Sequence, residues 1–116
     1  MNWQNFKNND EINTYTLLCN AKSLEYTFVD DTLLFIDKRN GAWHVDMHDP
    51  YTCTNCWDEP KVFVSFDELL DYIVELQKNE LESCADALNK FAHIQVKWDD
   101  DKLCATVLEN IEIRRR

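Results

Sequence analysis

The chain has 116 residues, of which 45% are apolar and 12% aromatic. This is enough for one hydrophobic core, and it argues against wholesale disorder and against two independent domains. Asp and Glu number 22 against 12 Lys and Arg, so the formal net charge is −10, the opposite of the basic footprint that DNA, RNA or an anionic membrane requires. The single glycine, Gly41, excludes the usual glycine-rich phosphate-binding loops, which need two or three glycines. We therefore expect one domain over 1–116.

The first thirteen residues are polar and Asn-rich, and we expect a loosely ordered lead-in over 1–13 with at most one helical turn. They lack the basic and apolar regions of a secretory signal. The odd number of cysteines, together with the lack of an export signal, predicts reduced thiols and a cytoplasmic protein. These cysteines are Cys19, Cys53, Cys56, Cys84 and Cys104.

The first half of the chain predicts short strands. A β-favouring run covers 14–19, and alternating apolar and polar residues predict strands over 24–29 and 32–37. Asn40–Gly41 follows, and this pair is the strongest short-range signal for a hairpin because both residues tolerate a positive φ. The return strand is predicted over 42–48.

A helix is predicted after a short strand over 61–64. Ser65 and Glu68 have the spacing of a capping box, and apolar residues then recur at helical spacing as far as Phe91. Asn79 could interrupt this helix, which leaves one long helix or two short ones.

The C-terminal part predicts strands again. Alternation favours a strand over 94–98, a turn over 99–102 and a returning strand over 103–108, with 111–113 extending that edge. The element order predicts an α+β fold, in which an antiparallel, hairpin-rich β-sheet is packed on one face by one long or two short α-helices.

The acidic residues of the predicted helix are its most distinctive feature. Asp67, Asp71 and Glu75 are four residues apart, which places them about 6 Å apart along one face. Like charges at this spacing destabilise a helix slightly, so a role in attracting a basic partner would explain them. The alternative is a solvated face, with acids favoured near the helix N-terminus by the dipole. The predicted partner-binding residues are Asp67, Asp71, Glu75, Glu82, Asp86, Asp99, Asp100, Asp101 and Trp57.

Trp57 is included because it lies in the irregular segment 53–60 and is followed by Asp58 and Glu59. An aromatic side chain ringed by charge is typical of a binding hot spot. The alternative, which we favour slightly, is a loop residue folded back on the sheet. No serine or cysteine stands in a recognisable nucleophile setting beside a histidine, so we do not expect an enzyme.

His48, Cys53 and Cys56 form a candidate zinc site, because a Cys-x2-Cys knuckle suits tetrahedral zinc. His44 is roughly 13 Å from His48 if both lie on one strand, which is too far for a shared ion. The alternative is solvent-facing histidines and two ordinary loop thiols, so no cofactor is expected, with zinc as the alternative. Fourth ligands considered are Asp46, Asp49, Cys84 and Cys104.

These observations favour a small acidic inhibitor that binds the basic, nucleic-acid-binding surface of a nuclease-type target by phosphate or DNA mimicry. Phage-encoded antirestriction and anti-CRISPR proteins are examples of this class. The first alternative is an immunity protein or antitoxin that neutralises a basic toxin by the same electrostatics. The second, from another class, is a small zinc-stabilised structural or adaptor module.

Overall fold

The computed structural model describes Trp3 and residues 9–52, 54–92 and 100–114, with only the backbone described at 9–12, 81, 84–92 and 100–102. An antiparallel β-sheet is packed with helices, which confirms the predicted α+β class. No helix in this described part is long and apolar enough to cross a membrane. The elements are α1 Asn9–Cys19, β1 Ser23–Thr27, β2 Leu33–Arg39, β3 Ala42–Asp49, β4 Thr54–Asn55, β5 Lys61–Phe63, α2 Phe66–Ala92, α3 Asp100–Asn110 and β6 Ile111–Ile113.

The sheet has the strand order β4-β3-β2-β1-β6, and β5 also pairs with β3. Leu24 on β1 is opposite Ile36 on β2, and Ile36 is in turn opposite Val45 on β3. These side chains are fully buried, whereas the alternate positions Glu25 and Phe35 are only half-buried. The sheet therefore has an inner face that meets the helices in the core and an outer face that carries polar and charged residues.

The β2–β3 hairpin turns at Asn40 and Gly41, as predicted. Their φ angles are 54° and 75°, the positive values that a type I′ turn requires at both central positions. The turn between β1 and β2 uses a third positive φ, 69° at Asp31. Three short strands are thereby joined by local signals alone, which explains why this part of the sheet was predictable.

Helix α2 begins at Phe66, directly after Ser65, and continues through Asn79 without a break for 27 residues. The one-helix alternative is thus the observed one. Leu69, Leu70 and Ile73 are fully buried against the sheet. Burial of these side chains, each contributing roughly 1.5–3 kcal/mol by removal from water, fixes the helix on the inner face.

The prediction of a strand over 14–19 is wrong, because these residues form the second half of α1. Leu18 is buried, and the Tyr15 ring packs edge-on against Phe66 of α2 with ring centroids 5.4 Å apart. Packing on α2 overrides the β preference of a short Thr- and Tyr-containing run. Trp3, in the segment predicted to be loosely ordered, is fully buried in the core.

The prediction of a strand over 103–108 and of a turn reaching Lys102 is also wrong, because Asp100–Asn110 is helix α3. The buried residues 103, 104, 107 and 108 recur with the period of a helix, a pattern hidden by the β-branched residues among them. The predicted strand over 111–113 exists as β6. It pairs with β1 and does not extend a strand over 103–108, because those residues are helical. The predicted strand over 94–98 lies outside the described residues.

Candidate partner-binding surface

Four carboxylates form a line along the solvent side of α2. Glu68, Asp71, Glu75 and Glu82 are all exposed, and at 100° per residue they fall within about 60° of one another around the helix axis. From Glu68 to Glu82 the line extends about 21 Å, at 1.5 Å per residue. We call these four residues the α2 acidic face.

The side of α2 opposite the acidic face is the buried one, where Leu70, Ile73 and Gln77 pack into the core. The helix therefore cannot rotate without exposing these side chains, so the direction in which the carboxylates point is set by the core. Glu68 was missed as a surface residue because the sequence assigns it to the capping box. Its seven-residue spacing to Glu75, and again to Glu82, was the available signal.

Asp67, predicted to belong to the same stripe, is used inside the protein. It accepts a hydrogen bond from the hydroxyl of Tyr15 on α1. Asp71 likewise accepts a 2.9 Å hydrogen bond from the indole Nε1–H of Trp3. Two of the predicted binding carboxylates thus also hold α1 and the N-terminal tryptophan on α2.

The remaining predicted acids are only partly placed. Asp86 falls in register with the acidic face, one turn beyond Glu82 in the helix backbone. Asp100 and Asp101 begin α3, where acidic residues are favoured by the helix dipole. Asp99 lies outside the described residues, so the predicted second acidic patch is described only as the start of a helix.

Trp57 belongs to an aromatic cluster formed with Phe63 and Tyr72. The ring centroids of Trp57 and Phe63 lie 6.5 Å and 5.1 Å from that of Tyr72. The Lys61 ammonium lies 5.2 Å from the Trp57 centroid and 4.8 Å from the Tyr72 centroid, within the range of a cation–π contact. Trp57 is half-buried against the core, so it is both a folded-back loop residue and part of the surface.

The aromatic cluster adjoins the α2 acidic face, because Tyr72 is one turn from both Glu68 and Glu75 on the helix. Next to it, Val62 and Val64 expose 53% and 80% of their surface. The helix acids therefore have an apolar neighbour on the β5 side, which is the combination of charged rim and aromatic centre found at many protein interfaces.

Of the three predicted zinc ligands, the structure describes His48 and Cys56. His48 is opposite Asn55 in the β3–β4 pair, and the next backbone bond joins the Cys56 N–H to the Met47 carbonyl at 2.7 Å. Since neighbouring residues of a strand point to opposite faces, this register directs His48 and Cys56 to opposite sides of the sheet. Cys53 lies outside the described residues. In the described part of the chain, no three His, Cys, Asp or Glu side chains are arranged to hold a metal ion.

Basic residues cluster on a different surface, at the end of the sheet where β1 begins and β2 and β6 end. A shallow groove there is lined by Lys22, Lys38, Arg39 and Arg114. The Arg114 guanidinium lies 4.5 Å over the Phe35 ring and 3.9 Å from carboxylate oxygens of both Glu25 and Asp37. Four of the described basic residues thus lie at this end of the sheet, whereas Lys61 and Lys78 lie at α2.

A scan against protein-family models, a search of curated proteins and a search of solved structures each found no match.

Proposed function

We propose that the protein binds the basic, nucleic-acid-binding surface of another protein through the α2 acidic face and thereby competes with the phosphates of nucleic acid. The observation that carries the proposal is the 21 Å line of four exposed carboxylates on a helix whose orientation is set by the core. Such a line presents negative charge at intervals of about 4 to 10 Å along the axis, without the reorganisation that flexible acidic tails would need on binding.

The charge distribution supports this function for two further reasons. A net charge of −10, together with four exposed carboxylates against one lysine, Lys78, at the edge of the same helix face, accelerates encounter with a basic partner. The aromatic cluster beside that face adds apolar contact area, which the phosphate backbone of nucleic acid lacks. Burial of this area would make the complex tighter than a purely ionic one.

Salt dependence is the first expected property of the complex. Exposed charges are screened over about 10 Å at 0.1 M ionic strength, so capture of a basic partner should be strong at low salt and weak at high salt. The protein is immobilised and exposed to a nuclease-treated lysate at both salt concentrations. Each retained protein is then tested for nucleic-acid binding. The acidic protein, added free in solution at molar excess, should abolish this binding.

A matched pair of variants assigns the binding to α2. E75Q/E82Q removes two charges from the acidic face, and E109Q/E112Q removes two from exposed positions on α3 and β6. We expect E75Q/E82Q to weaken binding to the retained partner about tenfold at low salt, corresponding to about 1.4 kcal/mol, and E109Q/E112Q to leave it almost unchanged. Equal losses for the two variants, or a partner whose nucleic-acid binding survives saturation, would contradict the proposal.

A further inference from the structure

Strand β6 lies at one end of the sheet and is paired on one side only. Its partner is β1, and no strand of the described part of the chain lies along its other side. Ile113 exposes 43% of its surface at this edge, and an open groove lined by Glu25, Glu112, Ile113 and Arg114 borders the strand. An unpaired edge of this kind is a template for a further strand.

The register with β1 shows which backbone groups face the free edge. The Arg114 N–H donates a 3.3 Å hydrogen bond to the Ser23 carbonyl, and Glu112 is opposite Glu25. Because the direction of hydrogen bonding alternates along an antiparallel strand, Glu112 and Arg114 direct their backbone groups towards β1. The N–H and C=O of Ile113 therefore point to the free edge, where they have no partner among the described residues.

The opposite end of the sheet is less open to pairing. Strands β4 and β5 there have two and three residues. Pro60 precedes β5, and the exposed Lys61 begins it. Proline and lysine are residues with which natural sheets block their edges. Strand β6 contains neither, since it reads Ile-Glu-Ile and is followed by Arg114.

We propose that β6 pairs with β6 of a second copy of this chain, antiparallel about a two-fold axis through Ile113. Each Ile113 then donates its N–H to the other copy's Ile113 carbonyl, which uses the backbone groups that face the edge. Glu112 of each copy is opposite Arg114 of the other. Two cross-strand pairs of opposite charge thus flank the axis, and such pairs stabilise a sheet. The contact is isologous and closes as a dimer.

The other registers are disfavoured. An axis at Glu112 would place the two Glu112 carboxylates opposite each other, and like charges in that position are destabilising. An axis at Ile111 would bring Asn110, the last residue of α3, into the ladder, and a residue within a helix cannot continue a strand. The axis at Ile113 is therefore the register that combines available backbone groups with opposite charges.

The Arg114 side chain is free to take part. Its guanidinium lies 3.9 Å from the carboxylates of Glu25 and Asp37, which is beyond hydrogen-bonding distance. A closer carboxylate can therefore draw it from the Phe35 ring towards the edge. Glu112 supplies that carboxylate, because it is exposed and otherwise faces the like charge of Glu25 on β1.

Self-association should be weak, because the paired edge is short and buries little area. We expect a dissociation constant of about 0.1 mM. Sedimentation equilibrium of the full-length protein at 0.15 M salt measures it. The average mass should rise from 13.8 kDa towards twice that value as the concentration increases to about 1 mM. At the low micromolar concentrations used for partner binding the dimer is dissociated, so the two tests do not interfere.

Charge reversal tests the register. E112R and R114E each place like charges opposite one another, so each variant alone should associate at least tenfold more weakly than the wild type. An equimolar mixture of the two restores both pairs of opposite charge and should form a heterodimer. The matched control is E59R, which changes the net charge as E112R does at an exposed residue before β5. It should associate at least as well as the wild type.

A proline tests the backbone pairing without reversing a charge. I113P removes an N–H that β1 does not use, so the fold should be kept, as far-UV circular dichroism would show. The two central hydrogen bonds of the dimer are lost, and association should be abolished. Proline also favours an extended conformation at the preceding residue, which Glu112 already has in β6.

The outcomes are independent of the proposed function. A mass that stays at the monomer value up to about 1 mM, a mixture of E112R and R114E that does not associate, or an I113P variant that associates like the wild type would each overturn the β6 dimer. Association that is lost in the single variants and restored in their mixture supports it, whether or not the α2 acidic face captures a nucleic-acid-binding partner.

Discussion

Asp67 and Asp71 on one side of α2, and Glu75 and Glu82 further along it, are carboxylates of the same helix with different tasks. The two aspartates accept hydrogen bonds from Tyr15 and Trp3 and so join the N-terminal part of the chain to the helix. The two glutamates are exposed, as Asp71 is, but serve only the surface offered to a partner. An acidic stripe in a sequence therefore combines structural and surface carboxylates, and only their neighbours distinguish them.

The largest expected effect on stability comes from Trp3, whose indole N–H donates a hydrogen bond to Asp71. Trp3→Ala removes a fully buried indole from the core and should lower the free energy of unfolding by about 3–5 kcal/mol. Leu17→Ala, at a 60% exposed position, should change it by less than about 0.5 kcal/mol. Urea unfolding followed by far-UV circular dichroism measures both. Similar stabilities for the two variants would show that Trp3 does not anchor the N-terminal segment.

A smaller effect should separate the two kinds of carboxylate directly. Asp71→Ala removes the acceptor of the Trp3 indole N–H and should cost about 1 kcal/mol of stability. Glu75→Ala should be neutral within about 0.5 kcal/mol, because it removes an exposed charge that has a like charge, Asp71, one turn away. Partner binding should respond differently from stability: Glu75→Ala should weaken the complex although it leaves the free energy of unfolding unchanged. Equal stability losses would erase the distinction.

The smallest effect is a pH dependence that comes from Glu80. Its pKa in the folded protein is raised above the ordinary value of 4.5, chiefly by burial; the charge of Asp30 also raises it, whereas the hydrogen bond from the Asp30 backbone N–H lowers it. The folded state therefore binds a proton at Glu80 more tightly than the unfolded state does, and this contribution to stability is present below pH 4.5 and is lost as pH rises through the raised pKa. The titratable groups facing Glu80 are Asp30 on the β1–β2 turn and Tyr26 on β1.

E80Q isolates this contribution. The difference in melting temperature between E80Q and the wild type should change in favour of E80Q as pH rises from 4.5 through the raised pKa. Asp30 has the opposite sign, because its pKa is lowered, and its contribution is lost only as pH falls below its ordinary value of 3.8. A difference that does not vary with pH would mean that the carboxyl group of Glu80 is not desolvated as described.

Local patterns predicted the β1–β2–β3 part of the sheet well. The alternation that places Leu24, Ile36 and Val45 inside depends only on the pleat of a strand, and the Asn40–Gly41 turn depends on two backbone angles. The start of α2 at Phe66 likewise follows from residues within four positions of it. Each of these signals is complete within a short stretch of chain.

The acidic face was predicted in part for the same reason. Helical spacing identifies which carboxylates lie on one side of α2, so Asp71, Glu75 and Glu82 were found. The structural use of Asp67 and Asp71 was not, because their hydrogen-bond donors are 52 and 68 residues away along the chain. The contact of Glu80 with the backbone N–H of Asp30 was missed on similar grounds, since these residues are 50 positions apart.

The sequence by itself determined the class of fold, the central hairpins, the start of the long helix and the acidic character of its outer side. Only the tertiary structure decided that 14–19 and 103–108 are helical, because their burial against α2 and the sheet outweighs a weak local β preference. It also brought Lys22, Lys38 and Arg114 to one end of the sheet, since adjacent antiparallel strands join residues that are far apart in the chain. Segregation of charge in this protein is a product of strand order, whereas the excess of negative charge is a property of composition.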